Sequence, residues 1–185
     1  ESHPRYMLNP SIDDIILPEE GAPLGLDLET NGDTPWRDSI RVISLRTSEQ
    51  YLLIPEYYDK AELVELFWRI QSNSNIVVCH NTKFDGGFIF THYGVLLTRL
   101  WCTMLGSQVL GGGSRKFSHD LLSVLNRHLH LQRTDDKKAL QKSFLNAAPL
   151  TAEQLNYAAT DTEYLIPLRE KLLEELEGKD LLKVI

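Results

Sequence analysis

Ile76-Val77-Val78-Cys79-His80-Asn81-Thr82-Lys83-Phe84-Asp85 is the stretch on which the fold turns. Ile76 to Cys79 is a near-continuous apolar run, which suits a strand buried on both faces in a central parallel position. A helix is predicted to begin near Asn81 or Thr82, both N-capping residue types, and to run to about Tyr93. Asp85 then falls in the first helical turn, beside the carboxyl end of the strand. Open α/β sheets place ligands in the crevice there. An ordinary N-cap followed by a helix-dipole charge accounts for the same residues about equally well.

Upstream, Leu24 to Glu29 is a short apolar run with carboxylates set into it. Side chains alternate along a strand, so Asp27 and Glu29 share one face while Leu26 and Leu28 take the other. Paired carboxylates in such a run repel each other and desolvate badly unless a cation lies between them. Taken alone, Asp-x-Glu fits a solvated edge strand better. Arg41 to Arg46 and Tyr51 to Ile54 are β-rich runs separated by a polar turn, so the three runs are predicted to form an antiparallel meander. Lys60 to Gln71 follows, with Leu63, Leu66, Phe67 and Ile70 at helical spacing.

The second half reads as helical over Thr103 to Leu110, Ser118 to His128, Thr151 to Thr160 and Asp161 to Leu176. Gly111-Gly112-Gly113-Ser114 is a break; it lacks the preceding strand and following Gly-Lys-Ser/Thr of a phosphate loop. Thr151 and Gln154 have capping-box spacing. Tyr157 and Asp161 stand at i and i+4 and share a helix face, with Ala158 and Ala159 small enough for close packing. A core tyrosine beside a surface aspartate gives the same pattern. The prediction is an α/β domain: a mixed sheet, antiparallel meander then parallel strand, with helices packed on it.

The 185 residues suit one domain with a sizeable core. The net charge of −7 argues mildly against tight duplex binding, although bound cations would offset an acidic site. Cys79 and Cys102 form no ligand cluster and read as buried free thiols. No apolar run reaches the length of a membrane span, so no membrane partner is expected. Residues 1–20 read as an N-terminal extension.

Three segments in this order resemble the motifs of the DEDD exonuclease superfamily: Asp27-Leu28-Glu29, Asn81-Thr82-Lys83-Phe84-Asp85, and Tyr157 to Asp161. The aromatic residue four positions before the last aspartate matches the tyrosine subclass; the histidine subclass would need His at 156, which is Asn156. The resemblance covers nearly the whole chain. It implies a ribonuclease H-like fold and is strongest to the proofreading domain of family-A DNA polymerases, with ribonuclease D a close relative.

That resemblance implies an enzyme using two Mg2+ or Mn2+ ions, held by Asp27, Glu29, Asp85 and Asp161, with Tyr157 orienting the attacking water. The implied substrate is the 3′ end of single-stranded or frayed DNA, the product a nucleoside 5′-monophosphate, and the role proofreading. A ribonuclease D-like exoribonuclease is the alternative, and a catalytically silent nucleic-acid-binding module ranks below it. Thr30, Asn81, Phe84, Lys116, Gln141 and Lys142 are the expected substrate contacts. Residues 178–185 resemble the start of a connector to a covalently linked polymerase domain. A monomer in the cytoplasm (nucleoid) or in a DNA-containing organelle is expected. Two departures concern substrate grip: Thr30-Asn31-Gly32-Asp33 lacks the apolar base wedge of polymerase members, and Phe144-Leu145 replaces an acidic residue and Trp.

Overall fold

Strand pairing begins with β1 (Met7–Leu8), followed along the chain by β2 (Pro23–Thr30), β3 (Ile40–Arg46) and β4 (Gln50–Leu53). β5 (Ile76–Cys79) and β6 (Leu100–Cys102) complete a six-stranded sheet of order β1-β4-β3-β2-β5-β6. The computed structural model describes residues 5–132 and 137–184, and these statements concern those residues. The first part of the expected extension, Glu1–Pro4, and Ile185 of the expected connector lie outside the described residues. β2, β3 and β4 form the expected antiparallel meander, and β5 joins β2 in parallel. β1 and β6 pair in parallel with β4 and β5.

The helices are α1 (Lys60–Ser72), α2 (Thr82–Tyr93), α3 (Thr103–Leu110), α4 (Leu121–Leu129), α5 (Lys137–Ser143), α6 (Ala152–Glu163) and α7 (Leu165–Gly178). They cover both faces of the sheet. Leu24, Leu26 and Leu28 of β2 pack with Leu63, Leu66 and Phe67 of α1 and with Phe88 and Ile89 of α2. On the other face, Val42 and Leu52 meet α5 and α6 through Leu140, Leu155, Ala158 and Ala159. Val78 meets α4 and α7 through Val124, Leu125, Leu165 and Leu168. Two packed layers of helices thus exclude water from a sheet that is apolar on both sides.

β5 and α3 occupy the predicted spans. The last two helices divide at Tyr164, not between Thr160 and Asp161. Tyr164, at φ −111° and ψ 8°, caps the end of one and the start of the other. Asp161 therefore stays inside α6. α4 starts at Leu121, later than the expected Ser118, because the Asp120 carboxylate takes the Ser123 N–H as its N-cap. The Thr151–Gln154 capping box forms as predicted, with bonds of 2.8 and 3.2 Å. Of the thiols, Cys79 is buried and Cys102 only partly so. Among the described residues, no helix is long and apolar enough to cross a membrane.

Candidate active site

Alternation along β2 sends Leu24, Leu26 and Leu28 into the core beneath α1 and α2. Gly25, Asp27 and Glu29 take the opposite face. There the chain of α6 and α7 comes unusually close. A Cβ at Gly25 would lie 3.3 Å from the Thr162 carbonyl oxygen and 3.5 Å from Leu165 Cβ. No sequence pattern marks Gly25, yet its missing side chain lets the helix junction sit on the strand.

A buried polar triangle fixes the same junction. Ser44 Oγ and Thr162 Oγ1 are 2.8 Å apart, Gln50 Nε2 donates to Ser44 Oγ at 3.0 Å, and Thr162 Oγ1 donates to Gln50 Oε1 at 3.1 Å. Ser44 is the β3 residue directly opposite Asp27. The consequence is convergence: Asp27, Glu29 and Asp161 each bring a carboxylate oxygen within 4.8 Å of the others. Glu29 and Asp161 are buried, and Asp27 partly so.

Asp85 enters from the first turn of α2 and is buried. Its Oδ1 accepts the Leu28 amide at 3.2 Å. Asn81, just before α2, adopts φ 83° and ψ 71°, a left-handed conformation that asparagine tolerates. Burial, then the Asp27 charge, pushes the Asp85 carboxyl well above its ordinary range. Burial, then Asp27 and Asp161, does the same to Glu29. Acidic oxygens this close and this buried form a site whose charge calls for a cation.

The carboxylates floor a cleft of about 660 Å³. Thr30, Asn81, Phe84 and Gln141, four of the expected substrate contacts, line it. Phe84 also packs on core residue Phe88, ring centroids 4.8 Å apart. Lys116 and Lys142, also expected to meet substrate, are solvent-exposed and stand outside that lining. Helical spacing explains Lys142: Lys137, Gln141 and Leu145 recur every four residues and face the cleft, and Lys142 is one step round.

Tyr157 lies one turn before Asp161 on α6 and is buried. Its ring is 3% exposed and packs beside Phe144, centroids 6.3 Å apart. His80, which no motif marks, lines the wall. Its Nε2 donates to the His119 carbonyl at 2.7 Å and its Nδ1 lies 2.8 Å from Thr103 Oγ1. Burial above all pushes its imidazole down to about 4, so it is neutral and Nδ1 accepts the threonine hydroxyl. With both nitrogens engaged it braces the wall and is not a free base.

A family model described as 3′-5′ exonuclease matches residues 14–177. The chain belongs to the 3′-5′ exonuclease family. This exonuclease domain is 27% identical over 168 residues to ribonuclease D of Psychromonas ingrahamii, covering 90% of this chain and 42% of that protein. It therefore spans about two fifths of that relative's length. Solved structures of Brucella melitensis NrnC share the fold. The form bound to pGG superposes with a TM-score of 0.78 at 23% identity, covering 99% of this chain and 86% of that one. The form with bound Mg2+ gives 0.75 at 21%, covering 98% and 86%. The expected link to DNA proofreading draws no support from these relatives. The exonuclease's own donor set, all carboxylate oxygen, suits a hard divalent cation over a thiolate-seeking metal.

Proposed function

We propose that this domain is a ribonuclease D-like exonuclease that removes nucleotides from the 3′ end of single-stranded RNA, releasing nucleoside 5′-monophosphates. The observation that carries the nuclease reading is the meeting of Asp27, Glu29 and Asp161 within 4.8 Å, with buried Asp85 beside them. The preference for RNA over DNA is supported by the likeness to ribonuclease D and to an NrnC structure bound to pGG.

In this reading Asp27, Glu29 and Asp161, with Asp85 beside them, would hold Mg2+ or Mn2+. Bound there, the cations supply the positive charge and Lewis acidity that phosphodiester hydrolysis needs. The Leu28 amide keeps Asp85 in place, and the Ser44–Gln50–Thr162 triangle keeps Asp161 in place. Arg37 and Lys137, on the cleft wall, meet the phosphates of the strand. Tyr157 positions the attacking water; packing beside Phe144 holds its ring.

The test is cleavage of 5′-labelled RNA and DNA single strands of one sequence, with Mg2+, Mn2+ or EDTA. The expected result is a ladder shortening from the 3′ end, faster on RNA, abolished by EDTA and by Asp161→Asn. Faster cleavage of DNA would return the domain to the proofreading reading. Full activity of Asp161→Asn would remove the metal assignment.

A further inference from the structure

Trp36 is 83% exposed, the most exposed large apolar side chain among the described residues. Tryptophan is normally well covered, so its position asks for a reason. It sits at the tip of the turn joining β2 to β3, and the residues around it line the cleft: Asn31, Gly32, Asp33, Arg37 and Asp38.

That turn is firmly built. The Arg37 and Asp38 amides donate to the Thr34 carbonyl at 3.1 and 2.7 Å. The Asp38 carboxylate accepts the Thr34 amide at 2.8 Å and pairs with Arg37 at 3.2 Å. At its base, Asn31 Oδ1 accepts the Ser39 amide at 2.7 Å, and the Asn31 amide donates to the Ser39 carbonyl at 3.1 Å. His92 Nε2 of α2 donates to the Asp38 carbonyl at 2.9 Å. An indole raised on such a support loses little freedom when a flat partner covers it.

Arg37 stands on one lip of the cleft and Lys137 with Gln141 on the other, while Trp36, the residue before Arg37, lies just outside the lining with its indole open to solvent. A single strand whose 3′ end reaches the carboxylates must leave between the two lips. Bases of any identity stack on aromatic rings, and phosphates seek arginine. We propose that Trp36 is a stacking platform for a nucleobase of the outgoing substrate strand, with Arg37 beside it for the phosphate. The inference rests on the nuclease reading above and adds a positioning residue outside the metal site.

The test compares wild type with Trp36→Ala and Trp36→Phe on two substrates. Heptaadenylate reaches past the lip, whereas adenosine 5′-(4-nitrophenyl) phosphate presents a single nucleoside at the carboxylates. Trp36→Ala should lower the preference in kcat/KM for the heptamer over the ester by about 5- to 150-fold, the worth of one stacked base. The loss should lie in KM, and Trp36→Phe should recover most of it. An unchanged preference, or equal losses on both substrates, would overturn the proposal. A second arm needs no turnover: heptaadenylate titrated into the protein with Ca2+ should quench tryptophan fluorescence in wild type and not in Trp36→Phe. Equal quenching in both would also overturn it. If wild type cleaves neither substrate, the nuclease reading fails while this titration still decides the platform.

Discussion

The Leu28 amide donates to the Asp85 carboxylate across 3.2 Å, from between the two acidic residues that β2 displays. One bond thereby sets α2 against the strand, although Leu28 and Asp85 are 57 positions apart in the chain. Asp85→Asn keeps the shape and an acceptor for that amide but deletes the charge. The expected result is a loss of about 10²- to 10³-fold in kcat, typical of one missing electrostatic contact in a transition state. Calorimetric titration should show weakened Mn2+ binding, with an unaltered circular dichroism spectrum. Retained kcat would place Asp85 outside the chemistry.

The carboxylate cluster also predicts how stability depends on pH. Glu29 and Asp85 hold their protons to higher pH in the folded chain than their ordinary values of 4.5 and 3.8. Above those values the folded state binds more protons than the unfolded one, so stability falls as pH rises through the raised folded values. His80 acts oppositely: its contribution is lost as pH falls from 6.5 through about 4, and is complete above that range. Glu29→Gln, which leaves His80 in place, separates the carboxyl contribution from the imidazole's. In EDTA the melting temperature should drop with pH, Mg2+ or Mn2+ should restore it, and Glu29→Gln should flatten the slope. A flat profile for the wild type in EDTA would contradict this account.

Tyr157→Phe separates hydroxyl from ring. The ring fills a buried position beside Phe144, and phenylalanine preserves that volume. Cleavage should slow by roughly 10²-fold in kcat, the scale of one positioned proton-handling group, with KM and Mn2+ affinity little changed. An unchanged kcat would leave the hydroxyl without a part in the reaction.

Thr162→Val is nearly isosteric but strips one corner from the triangle with Ser44 and Gln50. Thr162 is fully buried, so the abandoned partners cannot turn to water. Urea unfolding should show a loss of about 1–3 kcal/mol. Because Asp161 is the preceding residue on α6, kcat should fall as well. Loss of stability with full kcat would show that the triangle supports the fold alone.

Much of this was legible in the residues. The apolar run Ile76–Cys79 specified a strand and Asn81 the junction behind it, because burial and capping residue type spoke together, whereas Asp85 read as part of a site only in company with the two other acidic segments. Alternation in β2 and helical spacing from Tyr157 to Asp161 told which faces the acids share. What escaped lacked a periodic signal. β1 and β6 have two and three residues, too few to show alternation. Gly25 matters through an atom it does not have, and only the packed helix junction reveals that. A family resemblance favours Lys116 and Lys142, whereas the lining of the cleft from α5 follows one helical face and takes in Lys137 and Gln141. The ring of Tyr157 is covered by Phe144, a contact that no local pattern announces.

Strand β2 carries hydrocarbon toward one helical layer and negative charge toward the other, residue by residue. Its tolerance must therefore be lopsided. Exchanging one aliphatic side chain for another at Leu24, Leu26 or Leu28 alters volume alone. Deleting or inserting a single codon within the strand would swap its two sides, driving acids into oil and presenting leucines where ions should bind. Loss of the core and loss of the reaction would then arrive together, from a change that leaves composition almost untouched.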